Sequence, residues 1–107
     1  MKKSKKKALE AKGYKVSDAK EFLGMSDEEH AYVEMKVLLA HSFRKLRKSK
    51  RMSQSKLAEL MGSSQSRIAK MESGDPTVST DLLFRGMLAL GATRKDISRA
   101  LASRNAA

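Results

Sequence analysis

The chain has 107 residues, enough for one domain with a modest core and little room for a second. Its net charge of +11 favours a polyanionic partner, with nucleic acid first and an anionic membrane surface second. The lack of Cys excludes disulfides and thiolate metal sites. The lack of Trp argues against an aromatic platform for stacking single-stranded bases.

The N-terminal part divides into a lysine-rich stretch and a short helical segment. Residues 1–13 have almost nothing to bury, which predicts a disordered basic arm. Residues 14–25 predict a short N-terminal helix that begins at Ser17 and ends at Gly24. Residues 26–107 still hold 15 basic against 9 acidic side chains, so the expected domain is itself basic. Neither a signal sequence nor a membrane span is expected, which predicts a cytoplasmic protein.

A long first helix is predicted from Ser26 to about Ser49. Ser26 and Glu29 have the spacing of a capping box, and no Gly or Pro interrupts the segment. The apolar residues expected to face inward recur every three or four positions and are Tyr32, Met35, Leu39, Phe43 and Leu46. Basic residues cluster at its end, where cations favour the negative end of the helix dipole.

Four shorter helices are predicted after it. The expected N-cap residues are Ser53, Ser63 or Ser64, Ser79 or Thr80, and Thr93 with Asp96. The expected inward residues are Leu57, Ala58, Met61, Ile68, Met71, Leu82, Leu83, Met87, Leu88, Leu90, Ile97, Ala100 and Leu101. The methionines at this spacing, Met35 included, are interpreted as core filler. No segment alternates with a period of two, so the predicted fold class is all-α with five main helices.

The stretch that begins at Gln54 and ends at Gly74 has the spacing of a helix-turn-helix unit. Counted from Gln54 as the first position, Ala58 stands fifth, where two crossing helices need a small residue. Gly62 stands ninth, where the backbone reverses, and Ile68 stands fifteenth, where a branched side chain locks the helices together. With the basic charge, this spacing predicts DNA binding, and a plain helical hairpin is the alternative.

Four motifs in and around this unit carry a family resemblance: Leu46-Arg47, Met52-Ser53-Gln54, Ser64-Gln65-Ser66-Arg67-Ile68 and Met71-Glu72-Ser73-Gly74. Together they resemble the XRE family, the Cro/CI-repressor-like helix-turn-helix proteins. The resemblance implies a five-helix lambda-repressor-like domain that binds operator DNA as a homodimer, with the helix at about 64–72 in the major groove. Residues 22–29 and 89–92 resemble a branch of small regulators that includes antitoxins.

The resemblance also implies roles for single residues. It places Gln65, Ser66 and Lys70 at base edges, and glutamine suits adenine while lysine suits guanine. It places Gln54 on a phosphate, where it braces the recognition glutamine, and it pairs Arg47 with Glu72. The other predicted phosphate contacts are Ser64, Arg67, Lys50, Arg51 and Lys56, with Arg44, Lys45 and Lys48 as further candidates in the same basic run.

No catalytic set, phosphate loop or metal-ligand spacing is found, and His30 and His41 are interpreted as surface or half-buried imidazoles. No enzyme, cofactor or metal site is therefore predicted. The leading hypothesis is a homodimeric repressor of transcription that binds double-stranded DNA, with a dimer surface on the fourth and fifth helices and the loop at 75–80. The alternatives are an antitoxin whose residues 14–25 bind a toxin protein, and a basic module without sequence preference.

Overall fold

A computed structural model describes Gly24 and residues 26–103. This part of the chain contains five α-helices and no strand: α1 (Asp27–Ser49), α2 (Gln54–Met61), α3 (Gln65–Ser73), α4 (Thr80–Ala89) and α5 (Arg94–Ala102). The predicted all-α class with five main helices is confirmed. The predicted arm at 1–13 lies outside the described residues, and so does the predicted helix at 14–25 except for Gly24.

Polar caps explain where the helices begin. The Oγ of Ser26 accepts the backbone N–H of Glu29 at 3.1 Å and the Glu29 carboxylate accepts the N–H of Ser26 at 3.4 Å, so the capping box is formed. The four shorter helices begin after Ser53, Ser64, Ser79 and Thr93, whose side chains each accept a first-turn N–H. These bonds satisfy donors that a helix N-terminus otherwise leaves unpaired.

The described chain divides into two compact units, with the division between Met35 and Lys36 inside α1. In the first unit, Tyr32 is 49% exposed and Met35 is 43% exposed. The prediction that these two side chains face inward is therefore wrong, as is the interpretation of Met35 as core filler. Apolar spacing shows that a helix has an apolar face, but it does not show how far along the helix that face is covered.

In the second unit, α1 contributes a buried stripe that contains two cations. Its buried residues are Lys36, Leu38, Leu39, Ala40, Phe43 and Arg47. They meet a cluster whose largest fully buried members on the other helices are Leu57, Ile68, Met71, Leu83 and Met87. Leu88 is 55% exposed, so its predicted inward orientation is wrong. It lies on the face of α4 opposite to Leu83 and Gly86.

Gly86 is a point of close approach between α4 and the side chains of Phe43 and Met71. A Cβ placed on Gly86 would lie 2.6 Å from Cε1 of Phe43 and 2.9 Å from Cε of Met71. Both distances are far below van der Waals contact, so only glycine lets α4 approach α1 and α3 this closely. The packing of this glycine therefore fixes α4 against the two helices that carry the site described below.

We expect Gly86→Ala to lower the free energy of unfolding. Overpacking costs about 1–3 kcal/mol, and the better helix propensity of alanine returns about 1 kcal/mol. The net loss should lower Tm by roughly 4–8 °C per kcal/mol for a domain of this size. The matched control is the same substitution in a Phe43→Leu background, which removes the ring atom nearest to Gly86. Equal losses in the two backgrounds, measured by urea unfolding, would contradict the proposed steric cause.

Candidate nucleic-acid interface

The turn between α2 and α3 is built from backbone bonds and one left-handed glycine. Gly62 has φ 63°, and the N–H of Ser63 donates to the carbonyl of Ala58 at 2.8 Å. Ala58 is buried where α2 and α3 meet, and Ile68 is fully buried on the inner side of α3. The three residues predicted to hold this unit together therefore lie in its contact and its turn.

The outer face of α3 is polar. Gln65, Ser66 and Lys70, the residues predicted to touch base edges, are all exposed, and so is Arg67. Ile68 and Met71 hold the opposite face of the same helix in the core with no exposed surface. α3 is therefore an amphipathic helix of nine residues whose polar side chains point away from the protein.

A chain of hydrogen bonds ties the first residue of α3 to α1. Nε2 of Gln65 donates to Oε1 of Gln54 at 3.2 Å, and Nε2 of Gln54 donates to Oε1 of Glu72 at 3.0 Å. Glu72 in turn accepts from Arg47, whose Nη2 donates to Oε1 at 3.1 Å and whose Nε donates to Oε2. Nη1 of Arg47 also donates to the carbonyl of Met52 at 2.7 Å. The chain thus links α1, α2 and α3 through one carboxylate.

A helix-turn-helix family model, HTH_3, matches residues 43–97, just over half of the chain. The chain belongs to the HTH_3 family. This is the XRE-type, Cro/CI-like family that the sequence resembles, and its members are non-enzymatic DNA-binding domains, so the predicted family and the predicted lack of catalysis are confirmed. The partner of this HTH_3 domain is DNA. No match was found among the curated proteins or the solved structures.

The partners of Glu72 in this HTH_3 domain favour the ionised form of its carboxyl. Burial by itself would raise the pKa of the Glu72 carboxyl. The hydrogen bonds from Arg47 and Gln54 and the charges of Arg47 and Arg44 outweigh burial and lower the pKa below the ordinary value. An ionised carboxylate only accepts hydrogen bonds, so each neighbour of Glu72 must present a donor to it.

The predicted phosphate contacts do not all lie together. The ammonium of Lys50 is close to Gly91, in the turn between α4 and α5. A Cβ placed on that glycine would lie 3.4 Å from Nζ of Lys50. Nζ of Lys56 lies 3.1 Å from Oε1 of Glu59 in an exposed ion pair. Lys45 lines a polar pocket between α1 and α5, beside Arg99.

The remaining candidates flank the hydrogen-bond chain. Gln54 is half-buried within it, and Ser64 caps α3 by accepting the N–H of Arg67 at 3.1 Å. Arg51 and Lys48 are exposed at the end of α1. Nε of Arg44 lies 4.0 Å from Oε1 of Glu72, so this arginine reinforces the ionised carboxylate as well as facing solvent.

Lys36 is a residue that the sequence analysis missed. It is 9% exposed, and its Nζ donates at 3.1 Å to the carbonyl of Asp75, the second residue after α3. Hydrogen bonds from Thr77 lower the pKa of the Asp75 carboxyl, and the charges of Lys70 and Lys36 act in the same direction. Lys36 therefore holds the end of α3 against α1. Its spacing from Ala40 and Phe43 was the available signal, since it places a cation in the buried stripe.

Within Gly24 and residues 26–103, no group of three or more His, Cys, Asp or Glu side chains comes together in a way that could hold a metal ion. Their helices also include none with the length and apolar character needed to cross a bilayer.

We expect Glu72→Ala to destabilise the fold at neutral pH. The substitution leaves the buried guanidinium of Arg47 without its counter-ion, which costs about 3–5 kcal/mol for a fully buried pair. Urea unfolding measures the loss, and Glu59→Ala, which removes an exposed ion pair, is the matched control and should change stability by less than about 1 kcal/mol. Equal effects of the two substitutions would show that the Glu72 pair has no structural weight.

The same carboxylate predicts a dependence of stability on pH. Because the folded-state pKa of Glu72 lies below its unfolded value of 4.5, its contribution is complete above pH 4.5. The contribution is lost as the pH falls through the folded-state pKa, since the folded form must then take up a proton against its partners. The acid-induced loss of stability should be smaller in Glu72→Gln than in the wild type. Parallel pH profiles for the two proteins would contradict this cause.

Proposed function

We propose that this HTH_3 protein is a sequence-specific repressor of transcription that reads the major groove with α3. The observation that carries the proposal is the hydrogen-bond chain from Arg47 through Glu72 and Gln54 to Gln65. An exposed polar side chain that only contacts water does not need hydrogen bonds that fix its orientation. Base readout does need it, because hydrogen bonds to base edges require a side chain held in one orientation.

This hydrogen-bond chain also determines which amide atoms of Gln65 remain available to a base. The Glu72 carboxylate accepts only, so the amide nitrogen of Gln54 must point to it and the amide oxygen of Gln54 must point to Gln65. Gln65 answers with one N–H of its own nitrogen. Its oxygen and its second N–H then remain to pair with a base, side by side.

An acceptor beside a donor is the pattern complementary to adenine. The adenine N6 amino group donates to the glutamine oxygen, and adenine N7 accepts from the glutamine N–H. We therefore propose that Gln65 reads an adenine, and that Ser66 and Lys70, exposed on the same helix, contact neighbouring base edges. Gln54, Ser64 and Arg67 are proposed to contact the phosphates beside this base.

A homodimer is part of the proposal because one short α3 can contact only a few base pairs. Two copies related by a two-fold axis would place their α3 helices in successive major grooves, about 34–36 Å apart. Phe84 and Leu88 are exposed one turn apart on α4, with 36% and 55% of their surface accessible. We propose that this face, with α5 and the loop at 75–80, forms the contact between the two copies.

We expect Gln65→Ala to remove the preference for adenine at one position of each half-site. Selection of bound duplexes from a random pool should return a two-fold symmetric motif for the wild type and a motif flattened at that position for the variant. The loss of one bidentate contact costs about 1–3 kcal/mol of discrimination. Lys56→Ala is the control, since it should weaken all duplexes alike.

The same selection decides between the proposal and a basic module without sequence preference. Both lose affinity as salt rises, but only a specific regulator keeps a large preference for one motif over random DNA. A wild-type selection that returns no motif would refute specific repression. The antitoxin alternative stays a prediction, because the segment to which it assigns toxin binding, 14–25, lies outside the described residues except for Gly24.

The dimer surface has its own test. Leu88→Lys places a charge in the proposed contact and should shift the protein from dimer to monomer in sedimentation equilibrium at micromolar concentration. Leu60→Lys, which changes a 60% exposed leucine on α2, is the matched control and should leave the oligomeric state unchanged. A dimer that survives Leu88→Lys would exclude this face of α4.

A further inference from the structure

Helices α1 to α4 all end in the same backbone motif. In each case two backbone N–H groups that follow the helix donate hydrogen bonds to carbonyls of its last turn. The residue that joins the helix to the loop adopts a left-handed conformation. After α1 these bonds join Met52 N to Arg47 O at 3.3 Å and Arg51 N to Lys48 O at 2.9 Å. The left-handed residue is a glycine after α2, α3 and α4, namely Gly62, Gly74 and Gly91, and it is Arg51 after α1.

An arginine is an unfavourable residue for this position. A left-handed conformation brings Cβ close to the following carbonyl oxygen, a contact that glycine does not have. Arg51, with φ 55°, is the one non-glycine residue with positive φ among those the structure describes. Its side chain is exposed, so burial does not offset the cost. The three glycine-ended motifs in the same chain show the relaxed form of this turn.

The turn that carries Arg51 is held on both sides. The N–H of Arg51 is bonded back to Lys48, and both the N–H and the carbonyl of Met52 are bonded to Arg47. The same Arg47 guanidinium binds Glu72 and so supports Gln65. The turn that carries Arg51, three residues before Gln54, therefore shares Arg47 with the hydrogen-bond chain that reaches Gln65.

The neighbouring Lys50 is the second cation of this turn. The ammonium of Lys50 lies near Gly91, against the turn between α4 and α5. Both cations in the turn after α1 are exposed, and Arg51 is the one whose backbone the turn holds in a fixed, left-handed conformation. A guanidinium has the fork of donors that matches two phosphate oxygens.

We propose that Arg51 is a phosphate ligand for duplex DNA, held in place by a left-handed turn that lowers the stability of the fold. The proposal rests on the DNA-binding function proposed above and assigns a larger share of its sequence-independent affinity to this residue. Arg51 contributes no base choice, because a phosphate carries no sequence information.

Three substitutions separate the charge from the backbone. Arg51→Gly removes both the charge and the conformational cost, Arg51→Gln removes only the charge, and Arg51→Lys keeps both. We expect Arg51→Gly and Arg51→Gln to flatten the slope of log K against log salt by about 0.9 per protomer on a random-sequence 20-base-pair duplex. At 0.1 M salt this corresponds to a loss of about eightfold in affinity per protomer. Arg51→Lys should retain the wild-type slope.

Thermal unfolding supplies the second readout. Arg51→Gly should raise Tm by roughly 4–8 °C, whereas Arg51→Gln and Arg51→Lys should leave it near the wild-type value. Arg85→Gln, which removes an exposed positive charge on α4, is the control for net charge and should not change the salt slope.

Several results would overturn the proposal. A wild-type salt slope in Arg51→Gly and Arg51→Gln would show that Arg51 does not bind phosphate, and an equal flattening in Arg85→Gln would show an effect of net charge alone. A Tm for Arg51→Gly no higher than that of Arg51→Gln would show that the turn carries no cost. Failure of the function proposed above is distinguishable, because it appears as an absence of motif in the wild-type selection whatever these variants do.

Discussion

The arrangement of the helix-turn-helix unit depends on one ion pair, between Arg47 of α1 and Glu72 near the end of α3. Both side chains are almost entirely withdrawn from solvent, so neither charge is solvated without the other. A buried pair of this kind contributes little net stability, since desolvation cancels most of the attraction, but it discriminates strongly between arrangements. Any displacement of α3 along α1 would leave one charge buried and unpaired.

The ion pair also organises its surroundings in two directions. Toward the exposed face of α3, the Glu72 carboxylate fixes the amide of Gln54, which fixes the amide of Gln65. Toward the other side, the Arg47 guanidinium holds the carbonyl of Met52 and with it the turn that carries Arg51. The proposed base readout by Gln65 and the proposed phosphate contact by Arg51 would in this way depend on the same two charges, and their geometries are expected to change together.

The apolar core supplies the rigidity that such a network needs. Ile68 and Met71 anchor the inner face of α3, and Gly86 lets α4 approach Phe43 and Met71 more closely than any residue with a Cβ could. Lys36 adds a second polar contact, from α1 to Asp75, the second residue after α3. α3 is thus held at its beginning by Gln54, along its inner face by the core, and at its end by Lys36.

Much of this could be predicted from the sequence because it depends on neighbours in the chain. Capping serines and left-handed glycines act within one helical turn, and the spacing of Ala58, Gly62 and Ile68 describes one local unit. The predicted inward orientation of Tyr32, Met35 and Leu88 is wrong, since apolar periodicity does not say which part of an apolar face other elements cover. Local spacing places Lys36 in the buried stripe of α1, but the carbonyl that its ammonium binds lies 39 residues away and is not encoded by any local pattern.

The central claim is that Glu72 determines, through Gln54, which atoms Gln65 presents to a base. The most direct measurement is the affinity ratio of adenine to guanine at the position read by Gln65, compared between the wild type and Glu72→Gln. A glutamine at 72 can donate to the oxygen of Gln54, which would turn both amides over and present two N–H donors to the base. We predict that the preference for adenine then falls by roughly tenfold, although Gln65 itself is unchanged. An unchanged ratio in a folded Glu72→Gln protein would contradict the claim.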